Sequence, residues 1–323
     1  MWPKPASLGA STAGNNARLP CLAARQRRPT ELLDNASLAW HFGIVLSKKM
    51  EHLRALLRSY ESCIVAYSGG VDSAFLALVA HQTLGNRSLA VIADSPSLPR
   101  RELEEALEIA AQFGFPIRVV NTKEFANPEY LSNPNNRCYF CKHELFTELE
   151  PIARAEGFAV IAYGENASDV GDYRPGAQAA AEFQVRAPLK EVGLTKAEIR
   201  EVSTELGLPT AEKPQMACLS SRVPPGESVS PEKLRMIEQA ENYLRDLGFF
   251  DVRVRHHKLK RGHLARIEIG PAELQRFCET QDFAKITEVF REIGYAYATL
   301  DLLGYRRGNL NEPAAKAFKE SKT

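Results

Sequence analysis

The chain has no long apolar run: nothing in its 323 residues approaches the roughly 18 consecutive apolar residues that cross a bilayer. It also lacks a strong net charge of either sign, at +1, so no general basic footprint argues for a nucleic-acid partner, although a local patch stays open. Six cysteines are too few for a disulfide framework in a chain this long, which points to a reducing, cytoplasmic setting. No internal repeat is visible. These absences leave a soluble globular protein, and its length suggests two domains, each able to bury its own core.

The most informative stretch is Cys63 to Ala77. Ile64 to Tyr67 is an apolar run of strand type, Ser68-Gly69-Gly70-Val71-Asp72-Ser73 turns the chain, and Ala74 to Thr83 opens an apolar helix. A strand, a glycine turn and a helix N-terminus make an anion site, because the first helical amides are unpaired and the dipole favours negative charge. Gly69 and Gly70 permit positive φ and close approach to a phosphate. Ser68 and Ser73 add hydroxyls, and Asp72 would repel a bare phosphate unless Mg²⁺ bridged them. A Walker A loop would need a GK[ST] ending, which is missing. The loop resembles that of the ATP pyrophosphatases, which split ATP into AMP and pyrophosphate.

Residues 1–49 are rich in Ala, Ser, Asn, Arg and Pro and read as a disordered extension, a transit peptide or sequence upstream of a true start at Met50. From Met50 a short helix leads to the first strand. Further strands are expected at Ser88–Ala93, Pro116–Asn121 and Ala159–Tyr163, with a helix at Arg101–Phe113. This alternation predicts parallel βαβ units with ligands at the carboxyl ends of the strands, placing Ser68–Ser73, Asp94 and Gly164–Asp169 on one rim. Lys190 to Leu206 reads as a helix with a capping box at Thr195 and Glu198. Beyond a proline-bearing loop the rhythm changes to a helix at 231–247, alternating strands at 251–257 and 263–270, and helices at 271–279 and 283–293. The expected architecture is an α/β nucleotide domain over 50–215 followed by a smaller α+β domain over 216–323.

Two further segments carry chemistry. Cys138 and Cys141 form a CxxC expected in a loop ahead of a helix from His143, and Cys218 sits in a second loop; each is expected to follow a sheet strand, so the three could meet over the nucleotide rim. Three thiolates suit a [4Fe–4S] cluster with one open iron; one catalytic thiol, or zinc with His143 as fourth ligand, are the alternatives. Cys21, Cys63 and Cys278 read as ordinary packing or head residues. Asp169, Asp172 and Arg174 follow the fourth strand, where carboxylates could hold Mg²⁺ and Arg174 could neutralise phosphate. Arg253 and Arg255 share one face of a strand and suit a phosphate monoester. Glu241 and Glu268 could face the same cleft, although periodicity alone makes both surface residues.

Taken in order, Ser68–Ser73, the RCYFCK segment, GENASDVGDYRPG, APLKEVGLTKAEIR, CLSSR and VRVRHH resemble the LarE family, the sulfur-inserting enzymes of nickel-pincer nucleotide cofactor synthesis. The resemblance spans about Met50 to Ile269. It implies a PP-loop domain of the adenine nucleotide alpha hydrolase-like type, with ATP and Mg²⁺ at Ser68, Gly69, Gly70, Asp72, Ser73, Asp94 and Gly164. It implies adenylation of a carboxylate of pyridinium-3,5-biscarboxylic acid mononucleotide, then sulfur transfer in which Cys218, Asp72 and Ser73 act. Within the family the sulfur is either a cysteine's own or cluster-borne; Cys138, Cys141 and Cys218 together place this chain nearer the cluster type. Substrate contacts are implied at Ser221, Arg222, Arg253 and Arg255, and less directly at Glu241 and Glu268, since Leu259–Gly262 reads as an insertion. The resemblance also implies a homo-oligomer, a hexamer. Competing readings are a tRNA-thiolating enzyme, an amidating ligase of the NAD synthetase kind, and a module that only senses AMP or ATP.

Overall fold

The structure is a computed structural model that describes residues 35–169, 175–214, 217–280 and 282–306. The chain divides into two compact units, Met1–Val45 and Leu46–Thr323. The helices of the second are α1 (Asn35–Ser59, which begins before the unit), α2 (Val71–Leu84), α3 (Arg100–Phe113), α4 (Pro128–Leu131), α5 (Arg137–Glu156), α6 (Pro175–Glu182), α7 (Pro188–Glu191), α8 (Lys196–Glu205), α9 (Pro231–Asp246), α10 (Pro271–Thr280) and α11 (Phe283–Ile293). Its strands are β1 (Cys63–Tyr67), β2 (Ser88–Asp94), β3 (Ile117–Asn121), β4 (Val160–Tyr163), β5 (Val252–Lys258), β6 (His263–Ile269) and β7 (Tyr297–Leu300). None of the described helices is long and apolar enough to cross a membrane.

The first four strands form one parallel sheet in the order β3-β2-β1-β4. Every residue of β1 is buried, because both faces of the sheet are covered, as parallel sheets require. Period-two alternation divides β1 between the faces: Cys63, Val65 and Tyr67 join a core with α1, α2 and α8, while Ile64 and Ala66 join Phe146 and Leu149 of α5. The chain runs outward from β1 through β2 to β3, then returns to place β4 on the other side of β1. That reversal opens a crevice at the carboxyl ends of β1 and β4.

The second sheet has the order β5-β6-β7, with β5 and β6 antiparallel and β7 parallel to β6. Its core gathers Leu244, Phe249, Val254, Ile267, Phe277 and Phe290. Leu259–Gly262 is the hairpin loop between β5 and β6, closed by the Leu259 amide on the Gly262 carbonyl and by positive φ at Gly262; it is a turn.

Several sequence expectations change. Residues 35–49 are helical as the first part of α1, and Lys49 ties that helix to Glu198 (2.7 Å) and the Gly193 carbonyl (2.8 Å). The helix expected from Lys190 starts at Lys196, where the Thr195–Glu198 capping box closes it; only the single turn α7 precedes it. Cys138 and Cys141 lie in the first turns of α5, not in a loop before it. Cys218 follows α8 rather than a strand.

Candidate active site

The Ser68–Ser73 loop is built by its own short-range contacts. The Ser73 hydroxyl donates to the Gly70 carbonyl (3.0 Å) and accepts from the Ser68 amide (3.1 Å) and the Ser68 hydroxyl (3.0 Å). Gly69 has φ +70°, and a Cβ there would stand 3.1 Å from Ala106 Cβ. Gly70 is the N-cap of α2, in extended backbone and without a side-chain cap, so the first amides of that helix keep their anion-binding capacity. Across the crevice, a Cβ on Gly164 would lie 2.9 Å from the Ser73 amide nitrogen; only glycine lets the β4 loop approach this closely.

Asp72 has two differently placed oxygens. Oδ2 accepts from Lys196 Nζ at 2.6 Å, while Oδ1 is buried with no hydrogen-bond partner among the described residues. A buried, unpaired carboxylate oxygen is costly, and a hard divalent cation between it and a phosphate would satisfy it, so the residues present fit Mg²⁺. Lys196 escaped the sequence reading. Its signal was the capping box, which sets the start of α8 and therefore where the first lysine of that helix points.

Asp72, Ser73 and Gly164 line a cavity of about 390 Å³ together with Glu165, Lys142 and Cys138. Lys142 Nζ sits 4.2 Å from the centre of the Tyr163 ring, a cation–π contact that holds a positive charge at the cavity wall. Asp94 does not line this cavity. It pairs with Arg100 at 2.6 Å and faces a separate recess with Asn121 and Thr122. Asp169 accepts from the Asn166 amide (3.2 Å) and shapes the turn after β4. Asp172 and Arg174 lie outside the described residues, as does Cys21.

The i, i+3 spacing puts Cys138 and Cys141 on one face of α5, and Cys218 lies within electrostatic reach of both. Burial, then the neighbouring Cys218 thiol, pushes Cys138 and Cys141 upward; Arg137 pulls each the other way. Arg137 Nη2 stands 3.8 Å from Cys218 Sγ, and its Nη1 donates to the Ser220 carbonyl at 3.0 Å. Among the described residues, however, no three His, Cys, Asp or Glu side chains are gathered closely enough to hold a metal ion, so the thiols as placed do not form a ready cluster cradle. His143 packs edge-on against Phe183 and beside Tyr139. Cys63 is buried in β1, its thiol pushed up to about 12 by burial. Cys278, expected to pack, is exposed.

The Cys218–Arg222 turn joins the thiols to a buried charge cluster. Arg222 is fully buried and donates through Nε and Nη2 to Glu241 (2.8 and 3.1 Å), and through Nη1 to the carbonyls of Ala217 and Cys218 and to Ser221 Oγ. Glu241 also accepts from the Val254 amide at 3.0 Å and from Arg245 at 3.2 Å. Arg255 pairs with Glu268 (2.8 Å) and donates to the Ser221 carbonyl (3.0 Å). Arg253 stacks on Tyr305, 4.6 Å from its ring centre. Burial and the facing Arg222 guanidinium push Arg253 below the ordinary arginine value, against the opposing pull of Glu241. Glu241 and Glu268, surface residues by periodicity, are both fully buried.

A strand, glycine turn and helix N-terminus at the crevice of a parallel sheet, with an unpaired carboxylate oxygen beside it and a thiol on the same cavity wall, are the arrangement of an α/β protein of the PP-loop class. The NAD synthase family matches residues 45–136. An uncharacterised protein of Synechocystis sp. is 45% identical over 272 residues, covering 84% of this chain and 100% of that protein. The pyridinium-3,5-bisthiocarboxylic acid mononucleotide synthase of Lactiplantibacillus plantarum is 32% identical over 273 residues, 84% of this chain and 97% of that enzyme. An uncharacterised protein of Methanocaldococcus jannaschii is 27% identical over 266 residues, 81% of this chain and 99% of that protein. The chain belongs to the LarE family, that of the Lactiplantibacillus synthase.

Proposed function

We propose that this protein is an ATP-dependent sulfurtransferase that converts a carboxylate of pyridinium-3,5-biscarboxylic acid mononucleotide to a thiocarboxylate for a nickel-pincer cofactor. The observation that carries the reading is the shared cavity: Asp72 and Ser73, which handle phosphate, line the same walls as Cys138, whose thiol feels that of Cys218.

A substrate carboxylate oxygen attacks the α-phosphorus of ATP, the bond to the β-phosphate breaks, and pyrophosphate leaves with the electron pair. Ser68–Ser73 and the α2 amides hold that pyrophosphate, and Lys196, released from Asp72, adds a cation. Asp72 would hold Mg²⁺, which would supply charge neutralisation for the leaving pyrophosphate. Sulfur then attacks the acyl carbon, a carbon–sulfur bond forms, and the acyl–oxygen bond breaks with AMP as leaving group. When the sulfur is that of Cys218, loss of its Cα proton and cleavage of its Cβ–S bond leave dehydroalanine. Arg253, Arg255 and Ser221 hold the mononucleotide phosphate, while Arg222 and Glu241 fix the turn that carries Cys218.

The finer reading, in which Cys138, Cys141 and Cys218 ligate a [4Fe–4S] cluster, rests on the presence of all three thiols in this chain. That reading requires the thiols to close further than they stand. A reducing cytoplasm and a hexamer, the family's assembly, complete the proposal.

Incubation with ATP, Mg²⁺ and the mononucleotide tests it, with AMP and thiocarboxylate followed by mass. AMP without thiocarboxylate would refute the sulfur step. Intact protein lighter by H₂S assigns the sulfur to Cys218, whereas iron and sulfide in anaerobically purified protein assign it to a cluster.

A further inference from the structure

Cys218 sits in an irregular segment, yet the sulfur it serves must reach an acyl carbon with near-attack geometry. Regular secondary structure cannot place it; apart from the 3₁₀ turn Leu219–Arg222, the stretch from Cys218 to Val229 has no helix or strand. It is instead stitched to the nucleotide domain. The Leu219 amide donates to the Ser97 carbonyl (2.9 Å), Gly226 to the Asn133 carbonyl (2.9 Å) and Val229 to the Leu131 carbonyl (2.9 Å). Asn133 Nδ2 donates back to the Val223 (3.1 Å) and Pro224 (2.8 Å) carbonyls.

At the centre lies a closed triangle of hydroxyls. Ser97 Oγ is 2.5 Å from Tyr130 Oη and 2.7 Å from Ser220 Oγ, and Tyr130 Oη is 2.9 Å from Ser220 Oγ. All three residues are buried, Tyr130 and Ser220 completely. Each hydroxyl carries one proton and accepts at its lone pairs, so a ring in which each donates once and accepts once satisfies all three. Ser220 is two residues from Cys218. Ser97 follows β2, three residues beyond Asp94. Tyr130 lies in α4, the single turn that precedes α5 and the CxxC.

We propose that Tyr130 is a positioning residue for sulfur transfer: its hydroxyl closes the Ser97–Tyr130–Ser220 ring and thereby fixes Cys218 near Cys138, which lines the nucleotide cavity. The inference rests on the sulfurtransferase reading above. Among the described residues the Tyr130 hydroxyl bonds to Ser97 and Ser220 and not to the Ser68–Ser73 loop, Arg222, Arg253 or Arg255, so adenylation should not depend on it. A displacement of the sulfur by about 1 Å is enough to slow an oriented reaction on the order of a hundredfold.

Tyr130→Phe removes one oxygen and keeps the packing ring; Ser220→Ala is the second variant. Single-turnover rates of AMP release and thiocarboxylate formation are measured separately, with KM for ATP and for the mononucleotide. In both variants thiocarboxylate formation should fall about 10- to 100-fold, while AMP release and both KM values stay within about twofold of wild type. Equal loss in both steps, or no loss in either, overturns the inference. Backbone hydrogen exchange separates its failure from that of the functional reading. Even if wild type makes no thiocarboxylate, Tyr130→Phe should speed exchange at Leu219–Val223 about tenfold and leave β1 and β2 unchanged. Unchanged exchange at Leu219–Val223 overturns the inference on its own.

Discussion

The nucleotide loop and the buried arginine cluster are both charged sites, but they are assembled at opposite ranges. In the loop, six consecutive residues make the contacts that shape it, from the Ser68 amide to Ser73 Oγ and from Ser73 Oγ to the Gly70 carbonyl. In the cluster, Arg222 comes from a 3₁₀ turn, Glu241 from α9, and Arg253, Arg255 and Glu268 from two paired strands. A loop of local contacts can be read from spacing. A cluster of distant residues cannot, because the same glutamate is cheap on a surface and costly in a core. Glu241 shows the inversion: it occupies the apolar face of α9 with Leu234, Ile237 and Leu244, where a carboxylate is tolerated because it accepts from Arg222, Arg245 and the Val254 amide.

That contrast can be broken by mutation, starting from the loop. Asp72→Asn should lower AMP release by about a thousandfold or more while circular dichroism stays native, because it removes the cation site and leaves the fold intact. A modest loss would mean that Asp72 serves only its pair with Lys196. In the cluster the effect should appear in stability first. Glu241→Ala strands a buried guanidinium and should cost about 3–5 kcal/mol in denaturant unfolding, against the roughly 0.5 kcal/mol of a surface change. Recovery of most of that loss by Arg222→Met in the same chain would establish that the pair, not the glutamate alone, is responsible.

Arg253→Ala should raise KM for the mononucleotide about tenfold and leave KM for ATP unchanged, as one charge-assisted phosphate contact implies. Equal effects on both would move that arginine out of the substrate-phosphate site. The effect that is smallest at neutral pH, and emerges only on acidification, is in the second sheet. His256 is buried and hydrogen-bonded to His263 (3.0 Å) and Tyr295 (3.3 Å), and burial followed by His263 lowers its pKa to about 3. Its folded pKa lies below the unfolded value near 6.5, so the unfolded chain binds more protons between them. Stability should therefore be full above about pH 6.5 and decline toward pH 3. Thermal midpoints of His256→Gln should show a shallower decline than wild type over that window; an identical slope would place the acid sensitivity elsewhere.

Much of the first domain was legible because its signals are local. Four apolar runs became the four strands of one parallel sheet, and Thr195 with Glu198 formed the expected capping box. The readings that failed involved elements whose local signal was weak or ambiguous. The CxxC follows Asn and Pro and so read as loop, but its i, i+3 spacing equally suits the first turns of α5, and packing of Phe146 and Leu149 under the sheet holds the helix there. β7 is short, with Tyr297 60% exposed, and is recognisable as a strand only through its pairing with β6. Tyr130 had no signal at all, since a tyrosine in a short connection becomes informative only when Ser97 and Ser220 are seen against its hydroxyl.

By itself, then, the sequence determined the anion-binding turn at Ser68–Ser73, the parallel sheet that presents it, and the three thiols as chemically distinct residues. These follow from backbone geometry and spacing over a few residues, which solvent hardly alters. The tertiary structure alone decided which carboxylates are buried, that Asp72 gives one oxygen to Lys196 and leaves the other unmet, and that Ser220, two residues from Cys218, meets the hydroxyls of Ser97 and Tyr130. Burial is a collective property of distant segments, and it sets the cost of every charge and hydrogen bond within them.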